Sequence, residues 1–220
     1  MLPRTLEPEV MDTREEAVDY NSMDHAAVNR CFVDDLLAFL NSTAIGTAID
    51  MGTGTGLIPM ELFARPTVDG RCVAVDLSRE MLKLGQDNIQ SAGLQSRIEF
   101  LFADCKQLPV NDNAFDGCMS NSIIHHIPEP LDCLREMVRV TRPGGWLFVR
   151  DLMRPSTAST VDELVAQYAG EENEHSRRMF RESLHAALTV DEVRALLSAV
   201  DLPTSAVSAT SDRHWTIAIR

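Results

Sequence analysis

The feature that most constrains the fold is an alternation of short apolar runs with helical patterns along the middle of the chain. Apolar, strand-like runs lie at 47–52, 71–77, 98–104, 115–122 and 146–152. The first helical pattern between them extends to about Ala64. The second runs from Arg79 to about Ala92, with Ser78 as its N-cap. The third runs from about Pro130 to Val140 and stops before Arg142-Pro143-Gly144-Gly145. Because parallel neighbours need crossover connections, this order predicts an α/β fold with a mostly parallel sheet covered on both faces.

The two ends of the chain depart from this alternation. Apolar side chains recur every three or four residues from Asp24 to Asn41, which predicts an amphipathic helix. Residues 157–188 have helical patterns rich in charge and contain no strand-like run. The capping box Thr189–Glu192 then predicts a helix to about Val200.

The last two apolar runs, 205–210 and 214–220, predict a hairpin. Only three residues separate them, which is too short for a parallel crossover. We therefore expect seven strands in all, five of them parallel and two in a C-terminal antiparallel hairpin.

Composition limits the classes of function. A chain of 220 residues that is 45% hydrophobic favours one domain, residues 1–220. Its formal net charge of −13 opposes binding to nucleic acid, because phosphates require a basic face. The sequence shows neither a signal peptide nor an apolar run of roughly 18 residues that could span a membrane, so we expect a cytoplasmic protein. The five cysteines are widely spaced without a C-x-x-C pair, so no disulfide framework and no metal site are expected.

A glycine-rich turn follows the first predicted strand. Gly52, Gly54 and Gly56 alternate with threonines there. Glycines allow a tight turn and a close approach of the backbone to a ligand. Taken alone the turn is a weak signal, since ordinary turns, phosphate loops and dinucleotide sites all contain one.

Carboxylates follow the next two predicted strands. Asp76 ends the second strand and Asp104 ends the third. The carboxyl ends of neighbouring parallel strands face one crevice, so these acids should lie there with the glycine-rich turn. A carboxylate in this place can accept hydrogen bonds from both hydroxyls of a ribose.

Five segments, in order, resemble the successive motifs of the class I S-adenosylmethionine (SAM)-dependent methyltransferases: DMGTGTGLIPMEL, VAVDLSREML, FLFADCKQLPV, FDGCMSNSIIHHIPEP and RPGGWLFVRDL. The resemblance extends from about residue 17 to the end. It is closest to the small-molecule branch that includes the ubiquinone and menaquinone C-methyltransferases. It implies a Rossmann-like fold, SAM as cofactor, S-adenosylhomocysteine as product and a small-molecule methyl acceptor.

The resemblance also implies how the amino acid part of SAM is held. Asn121 would contact the methionine end, and Tyr20 would close over the cofactor. Asp50 would engage the ammonium through water. The residues that would surround this part of SAM are Asp50, Gly52, Thr53, Gly54 and Gly56.

The nucleoside part of SAM would lie further along the same edge. By resemblance, Asp76 would hold the ribose and Leu77 would lie against the adenine. Asp104 and the backbone of Cys105 would receive the N6 edge of the adenine.

Three polar residues are candidates for the acceptor side. His125 and His126 follow the fourth strand, and Asp151 ends the fifth. A histidine there could take a proton from the acceptor near neutral pH. Alternatively, the histidines could hydrogen-bond the backbone and order the loop. Asp151 could bind an acceptor group, or it could form a salt bridge with Arg154.

Residues 157–188 would cover the substrate pocket, as such inserts do in the family. Arg177, Arg178 and Arg181 could hold an acidic acceptor. Glutamates surround them, so an exposed face of mixed charge is the more common explanation. Together with Tyr20–Asn29, this insert could form a mobile lid.

Two other functions are alternatives. A nicotinamide-dependent oxidoreductase also has a glycine loop and an acid, but its loop should be G-x-G-x-x-G, and here the third glycine comes one residue earlier. An inactive SAM-binding partner subunit or sensor would keep the same motifs. A homodimer is one expected assembly.

Overall fold

The computed structural model describes residues 2–10, 12–23 and 25–220. Its strands, in chain order, are β1 (Ala44–Met51), β2 (Asp69–Asp76), β3 (Ile98–Phe102), β4 (Phe115–Asn121), β5 (Thr141–Leu152), β6 (Val207–Ala209) and β7 (His214–Ile219). They form one sheet in the order β3-β2-β1-β4-β5-β7-β6. The sheet therefore has the predicted number of strands.

The helices, in chain order, are α1 (Arg14–Ser22), α2 (Ala26–Leu40), α3 (Leu57–Phe63), α4 (Arg79–Ala92), α5 (Pro130–Val140), α6 (Ala158–Ala169), α7 (Glu174–Ala186) and α8 (Val190–Ala199). Short 3-10 helices occur at Ile124–His126 and Thr204–Ala206. No helix among the described residues is long and apolar enough to cross a membrane.

Strand directions follow the sequence prediction. β1 runs parallel to β2 and β4, and β2 runs parallel to β3. The hairpin strands β6 and β7 are antiparallel. Asp76 pairs with Phe102 at the carboxyl ends of β2 and β3, and Asp50 pairs with Met119 near the ends of β1 and β4. The sheet thus combines parallel strands with an antiparallel C-terminal pair, as predicted.

The chain forms two compact units. The larger unit consists of Val10–Asn121, Asp132–Val149 and Ala218–Arg220. The smaller unit consists of Ser122–Leu131, Arg150–Ile217 and the described part of Met1–Glu9.

Each unit has its own apolar core. In the larger unit, side chains of α2 pack with those of β1 and β5, including an edge-to-face contact between Phe32 and Phe148. In the smaller unit, Leu152 packs with apolar side chains of α6 and α7, such as Leu164 and Leu184. A single domain for residues 1–220 remains a prediction.

Two helix starts were predicted from a side chain that caps the first turn. The Ser78 hydroxyl accepts a hydrogen bond from the Met81 amide at the start of α4. Thr189 and Glu192 form both bonds of the predicted capping box at α8. The helix predicted from Asp24 begins at Ala26 in the structure, and Asp24 itself lies outside the described residues.

Two features of the fold differ from the prediction. β5 begins at Thr141 and passes through the segment that was expected to precede it. The fixed φ of Pro143 fits extended backbone, and Gly144 takes a φ of +74°, so the segment bends without leaving the strand. Helix α1 was not predicted, although Thr13 and Glu16 form a capping box at its start.

Candidate functional site

The glycine-rich loop between β1 and α3 requires its three glycines. Gly52, Gly54 and Gly56 have φ angles of +75°, +56° and +77°, in the left-handed region that other residues rarely adopt. The amides of Gly52 and Thr53 both donate to the carbonyl of Val75, at 2.9 and 2.8 Å. The loop is therefore fastened to the end of β2.

Tyr20, at the end of α1, lies against this loop. A Cβ atom added at Gly54 would be 3.5 Å from Tyr20 Cε1. Burial raises the pKa of the Tyr20 phenol to about 12, and the charges of Asp76 and Asp50 add to this effect. Tyr20 is thus a neutral cover over the loop.

Buried polar atoms without a hydrogen-bond partner surround the loop. Leaving such an atom unpaired costs about 1 to 3 kcal/mol, so several of them in one place indicate a site for a polar ligand. Among the described residues of the larger unit, these atoms include Asp50 Oδ2, Thr53 Oγ1, Thr55 Oγ1 and Asn121 Oδ1.

Asp50 is the most strongly perturbed acid at the loop. Its side chain is almost completely buried, with 1% relative exposure. Burial, together with the nearby charge of Asp76, raises its pKa to about 7. A cation placed beside Asp50 would restore the charged carboxylate.

Asp76 is held by the backbone on both sides. Its Oδ2 atom accepts from the Gly54 amide at 2.7 Å, and its Oδ1 atom accepts from the Ser78 amide at 2.9 Å. Burial raises its pKa despite these bonds. Each oxygen still has a second lone pair, so the carboxylate can accept two further hydrogen bonds.

The remaining cofactor candidates lie beyond β2 and β3. Leu77 is half-buried, directly after β2. Asp104 lies two residues after the end of β3, where its Oδ1 atom accepts from the Lys106 amide at 2.8 Å. The buried thiol of Cys105 lies near the backbone of Gly52. The cofactor candidates thus all belong to the larger unit.

Two of the three acceptor-side candidates, His125 and Asp151, form a buried pair in the smaller unit. His125 Nδ1 lies 2.5 Å from Asp151 Oδ1, and the His125 amide donates to Asp151 Oδ2 at 3.1 Å. The two residues are 2% and 0% exposed. Burial alone would lower the pKa of His125, but Asp151 and then Glu7 outweigh it and raise this pKa. Burial alone would raise the pKa of Asp151, but His125 outweighs it and lowers that pKa.

Glu7 completes a group that we call the histidine cluster: Glu7, His125, His126 and Asp151. Glu7 Oε1 lies 3.4 Å from His125 Nε2 and 3.2 Å from His126 Nδ1. Burial raises the pKa of Glu7, whereas burial and the charge of His125 lower that of His126 to about 3. Glu7 was not expected at a site, because nothing in the N-terminal sequence predicts a contact with residues so far along the chain.

The segment that carries Glu7 is fixed by Arg4. This guanidinium donates to the carbonyls of Ala186, Ile127 and Pro128 at 2.7, 2.9 and 3.1 Å. The N-terminal residues are thereby joined to the end of α7 and to the loop that follows the histidines.

The proposed salt bridge between Asp151 and Arg154 is not formed. Arg154 instead donates to Glu192 at 2.6 Å and to the Ala187 carbonyl at 2.7 Å, because its side chain is directed to the start of α8. Two arginines of the insert are paired with acids on its surface, Arg178 with Glu182 and Arg181 with Asp162. This agrees with the mixed-charge explanation.

The fold defines the class of protein. A crystal structure of an S-adenosyl-L-methionine-dependent methyltransferase from Methanococcus maripaludis superposes with a TM-score of 0.74 at 19% identity, covering 98% of this chain and 95% of that one. This likeness shows a Rossmann-like methyltransferase fold.

Sequence comparisons then identify the family. The family described as "Methyltransferase domain" matches residues 49–149. The ubiquinone/menaquinone biosynthesis C-methyltransferase UbiE of Pseudomonas fluorescens is 33% identical over 110 residues, which are 50% of this chain and 43% of UbiE. Methyltransferase GfsG of Streptomyces halstedii is 32% identical over 151 residues, 68% of this chain and 53% of GfsG. These similarities support a class I SAM-dependent methyltransferase, a family whose cofactor is SAM.

The chain matches only part of these relatives. It spans between 25% and 53% of the length of UbiE, GfsG and the biotin biosynthesis bifunctional protein BioHC of Teredinibacter turnerae. The comparisons give no support to a nicotinamide-dependent oxidoreductase or to an inactive SAM sensor.

Proposed function

We propose that this chain transfers the methyl group of SAM to a small-molecule acceptor. The observation that carries the proposal is the set of four unpaired, buried polar atoms around the glycine-rich loop, on Asp50, Thr53, Thr55 and Asn121. They fit the amino acid end of SAM, which offers an ammonium, a carboxylate and a sulfonium in one ligand.

Each end of the cofactor has residues suited to it. The buried Asp50 carboxylate would face the ammonium, directly or through water, and the left-handed glycines leave the loop without side chains that could block the ligand. Asp76 would accept from the ribose hydroxyls with its remaining lone pairs. Leu77, Asp104 and Cys105 would border the adenine.

Methyl transfer from a sulfonium is an in-line displacement, so the protein must align the acceptor with the methyl carbon and exclude water. The cofactor supplies the activated methyl group when bound. The half-buried Tyr20 ring would help to exclude water from the loop, and the hydrogen bonds that Asp76 accepts from the Gly54 and Ser78 amides keep the ribose-binding carboxylate in place.

His125 and Asp151 are our proposed residues for the acceptor side. They follow the ends of β4 and β5, which are neighbours in the sheet. Both are fully buried, and the free nitrogen of His125 faces Glu7 rather than solvent. We therefore assign them an indirect role that acts through Glu7 and His126.

Two observations support a small acceptor. The name of UbiE places that relative in ubiquinone and menaquinone biosynthesis, and BioHC is named for biotin biosynthesis. The net charge of −13 opposes a nucleic-acid substrate. The insert 157–188, which forms α6 and α7, would cover the acceptor.

Calorimetry and a transfer assay test the proposal together. The chain should bind SAM and S-adenosylhomocysteine with one-to-one stoichiometry and should not bind NAD. Incubation with methyl-labelled SAM and a pool of small metabolites should then yield a labelled small product. Binding of NAD with no response to SAM would refute the cofactor assignment, and SAM binding without transfer to any acceptor would refute the enzymatic one.

A further inference from the structure

The side chains of the histidine cluster are of the types that bind metal ions, and the glycine-rich loop has no such set among the described residues. We propose that it binds one divalent cation of the Zn²⁺ type through Glu7 Oε1, His125 Nε2 and His126 Nδ1. This proposal concerns the smaller unit alone and does not depend on methyl transfer.

The distances from Glu7 to the two histidines match the edges of a tetrahedral site. Two ligand atoms at the usual 2.0–2.1 Å from zinc and at a tetrahedral angle lie about 3.3–3.4 Å apart. Glu7 Oε1 lies 3.4 Å from His125 Nε2 and 3.2 Å from His126 Nδ1. All three atoms lie within 4.8 Å of one another.

The hydrogen bonds around the cluster leave lone pairs directed into it. His125 Nδ1 faces the Asp151 carboxylate, which only accepts, so Nδ1 carries a proton and a metal ion would take the place of any second proton, on Nε2. The His126 ring hydrogen-bonds the Pro8 backbone, while its Nδ1 atom has no hydrogen-bond partner among the described residues. Glu7 Oε1 has none either. A cation placed between these three atoms would pair all of them at once.

The surroundings hold these atoms as ligands require. A metal-bound histidine usually donates its other ring N–H to a carboxylate, as His125 does to Asp151. The Ser183 hydroxyl donates to Glu7 Oε2 at 3.1 Å and leaves Oε1 for the ion. Glu7 and Asp151 together carry two negative charges, which balance a divalent cation.

The ligand types select the kind of ion. Two imidazoles and one carboxylate suit zinc and related transition metals, whereas Ca²⁺ and Mg²⁺ prefer oxygen ligands only. Three protein ligands also leave one tetrahedral position for a water or another small ligand, as in catalytic rather than structural zinc sites.

Direct metal binding by the full-length, tag-free protein tests the proposal. The exposed Cys31 could bind zinc adventitiously, so all measurements use a Cys31→Ser background. After removal of metals with a chelator, Zn²⁺ should bind with one-to-one stoichiometry in a calorimetric titration. Co²⁺ should give the intense visible absorption of a tetrahedral site, without the charge-transfer band of a thiolate ligand.

Variants locate the binding site. Glu7→Gln and His126→Ala should each weaken Zn²⁺ binding by more than about 100-fold, whereas Asp151→Asn, which removes an outer partner, should weaken it by roughly 10- to 100-fold. His175→Ala, which removes an exposed histidine of the same unit, should leave the affinity unchanged. Circular dichroism identifies any variant that does not fold.

Two outcomes would overturn the proposal. The first is that the folded parent protein does not bind Zn²⁺ with one-to-one stoichiometry, which would mean that the cluster holds only protons. The second is that Glu7→Gln and His126→Ala bind Zn²⁺ as tightly as His175→Ala. Should both ligand variants fail to fold, an octahedral or thiolate-type Co²⁺ spectrum of the parent protein would reject the assigned ligands.

Discussion

The glycine-rich loop and the histidine cluster both contain buried polar atoms without partners, but they are assembled in different ways. The loop takes its unpaired atoms on Asp50, Thr53 and Thr55 from six consecutive residues. The cluster combines Glu7, near the start of the chain, with His125 and His126 and with Asp151, which follows 26 residues after His125. Local sequence therefore encodes the first site, and only the tertiary fold creates the second.

The two sites also differ in what they require of the backbone. The loop depends on left-handed glycines, so a single side chain can destroy it. The cluster depends on Arg4, whose hydrogen bonds hold the segment that carries Glu7. We therefore expect ligand binding at the loop to be sensitive to local changes and the cluster to be sensitive to remote ones.

Gly54→Arg should have the largest effect. At a φ of +56°, any side chain is strained, and a Cβ atom would already contact Tyr20 at 3.5 Å. SAM affinity should fall beyond roughly 1000-fold, about 4 kcal/mol, in a calorimetric titration. Gly93→Arg is the matched control, because its φ of +69° imposes similar strain where no atom lies within 4 Å of the added Cβ. Equal loss of SAM affinity in both variants would mean that strain, and not the loop, is responsible.

Arg4→Met should have the next largest effect, on stability. It leaves the carbonyls of Ala186, Ile127 and Pro128 without their donor, and the free energy of unfolding should fall by about 3 kcal/mol. Urea denaturation measures this change, and Arg177→Met, at an exposed position on α7, is the control. If Arg4→Met is as stable as the control, Arg4 does not fix the segment that carries Glu7.

The fold could be predicted from the sequence wherever local rules are strong. The boundaries of α4 and the cap at Ser78 follow from periodicity and side-chain capping. β5 was predicted to begin too late because its first residues contain two glycines, which usually end an element. They nevertheless belong to the strand, where Gly144 forms a bend at a φ of +74°.

The candidate cofactor residues could be named from motifs, because Asp50, Asp76 and the glycines lie beside strand ends. Glu7 could not be, because its approach to His125 joins distant parts of the chain. The sequence likewise suggested Asp151 as the partner of Arg154, whereas in the folded protein Arg154 pairs with Glu192. Sequence motifs therefore identify residues beside strand ends, whereas contacts between distant parts of the chain are seen only in the structure.

Asp50→Asn should weaken SAM binding by about 2 to 3 kcal/mol, because a neutral amide cannot match an ammonium. Asp76 is the charged group that acts on Asp50, and its carboxylate is already held by the Gly54 and Ser78 amides, so it does not replace the lost one. The pKa of about 7 in the free protein also predicts that wild-type affinity falls as pH drops below 7, since a proton then competes with the ligand. Calorimetry across this pH range should show no such dependence in the variant.

The same carboxylate should affect the stability of the free protein. Its folded pKa is raised, so its favourable contribution is complete below its unfolded value of 3.8 and is lost as pH rises through about 7. Asp50→Asn should therefore gain stability relative to the wild type as the pH rises from about 4 to about 7. A constant difference across this range in chemical denaturation would contradict the raised pKa.

Asp76→Ala should weaken SAM binding by roughly 1 to 3 kcal/mol, the usual cost of losing hydrogen bonds to a charged group. Asp69→Ala, an acid at the opposite end of β2, is the control and should bind normally. Unchanged affinity in a folded Asp76→Ala protein would show that the ribose lies elsewhere, even if the loop binds the amino acid end.

Arg181→Ala should have the smallest effect. Among the described residues, the only ion pair of Arg181 is with Asp162, and both side chains are largely exposed. The free energy of unfolding should therefore change by less than about 0.5 kcal/mol. SAM affinity should also be unchanged, because Arg181 lies on α7 and not at the glycine-rich loop. If the insert 157–188 covers the acceptor, turnover of the true acceptor should nevertheless change.

Hydrogen exchange can test this cover before the acceptor is known. The helices α6 and α7 should become more protected when S-adenosylhomocysteine is added. Equally strong protection with and without it would show that the insert is rigid and does not act as a lid.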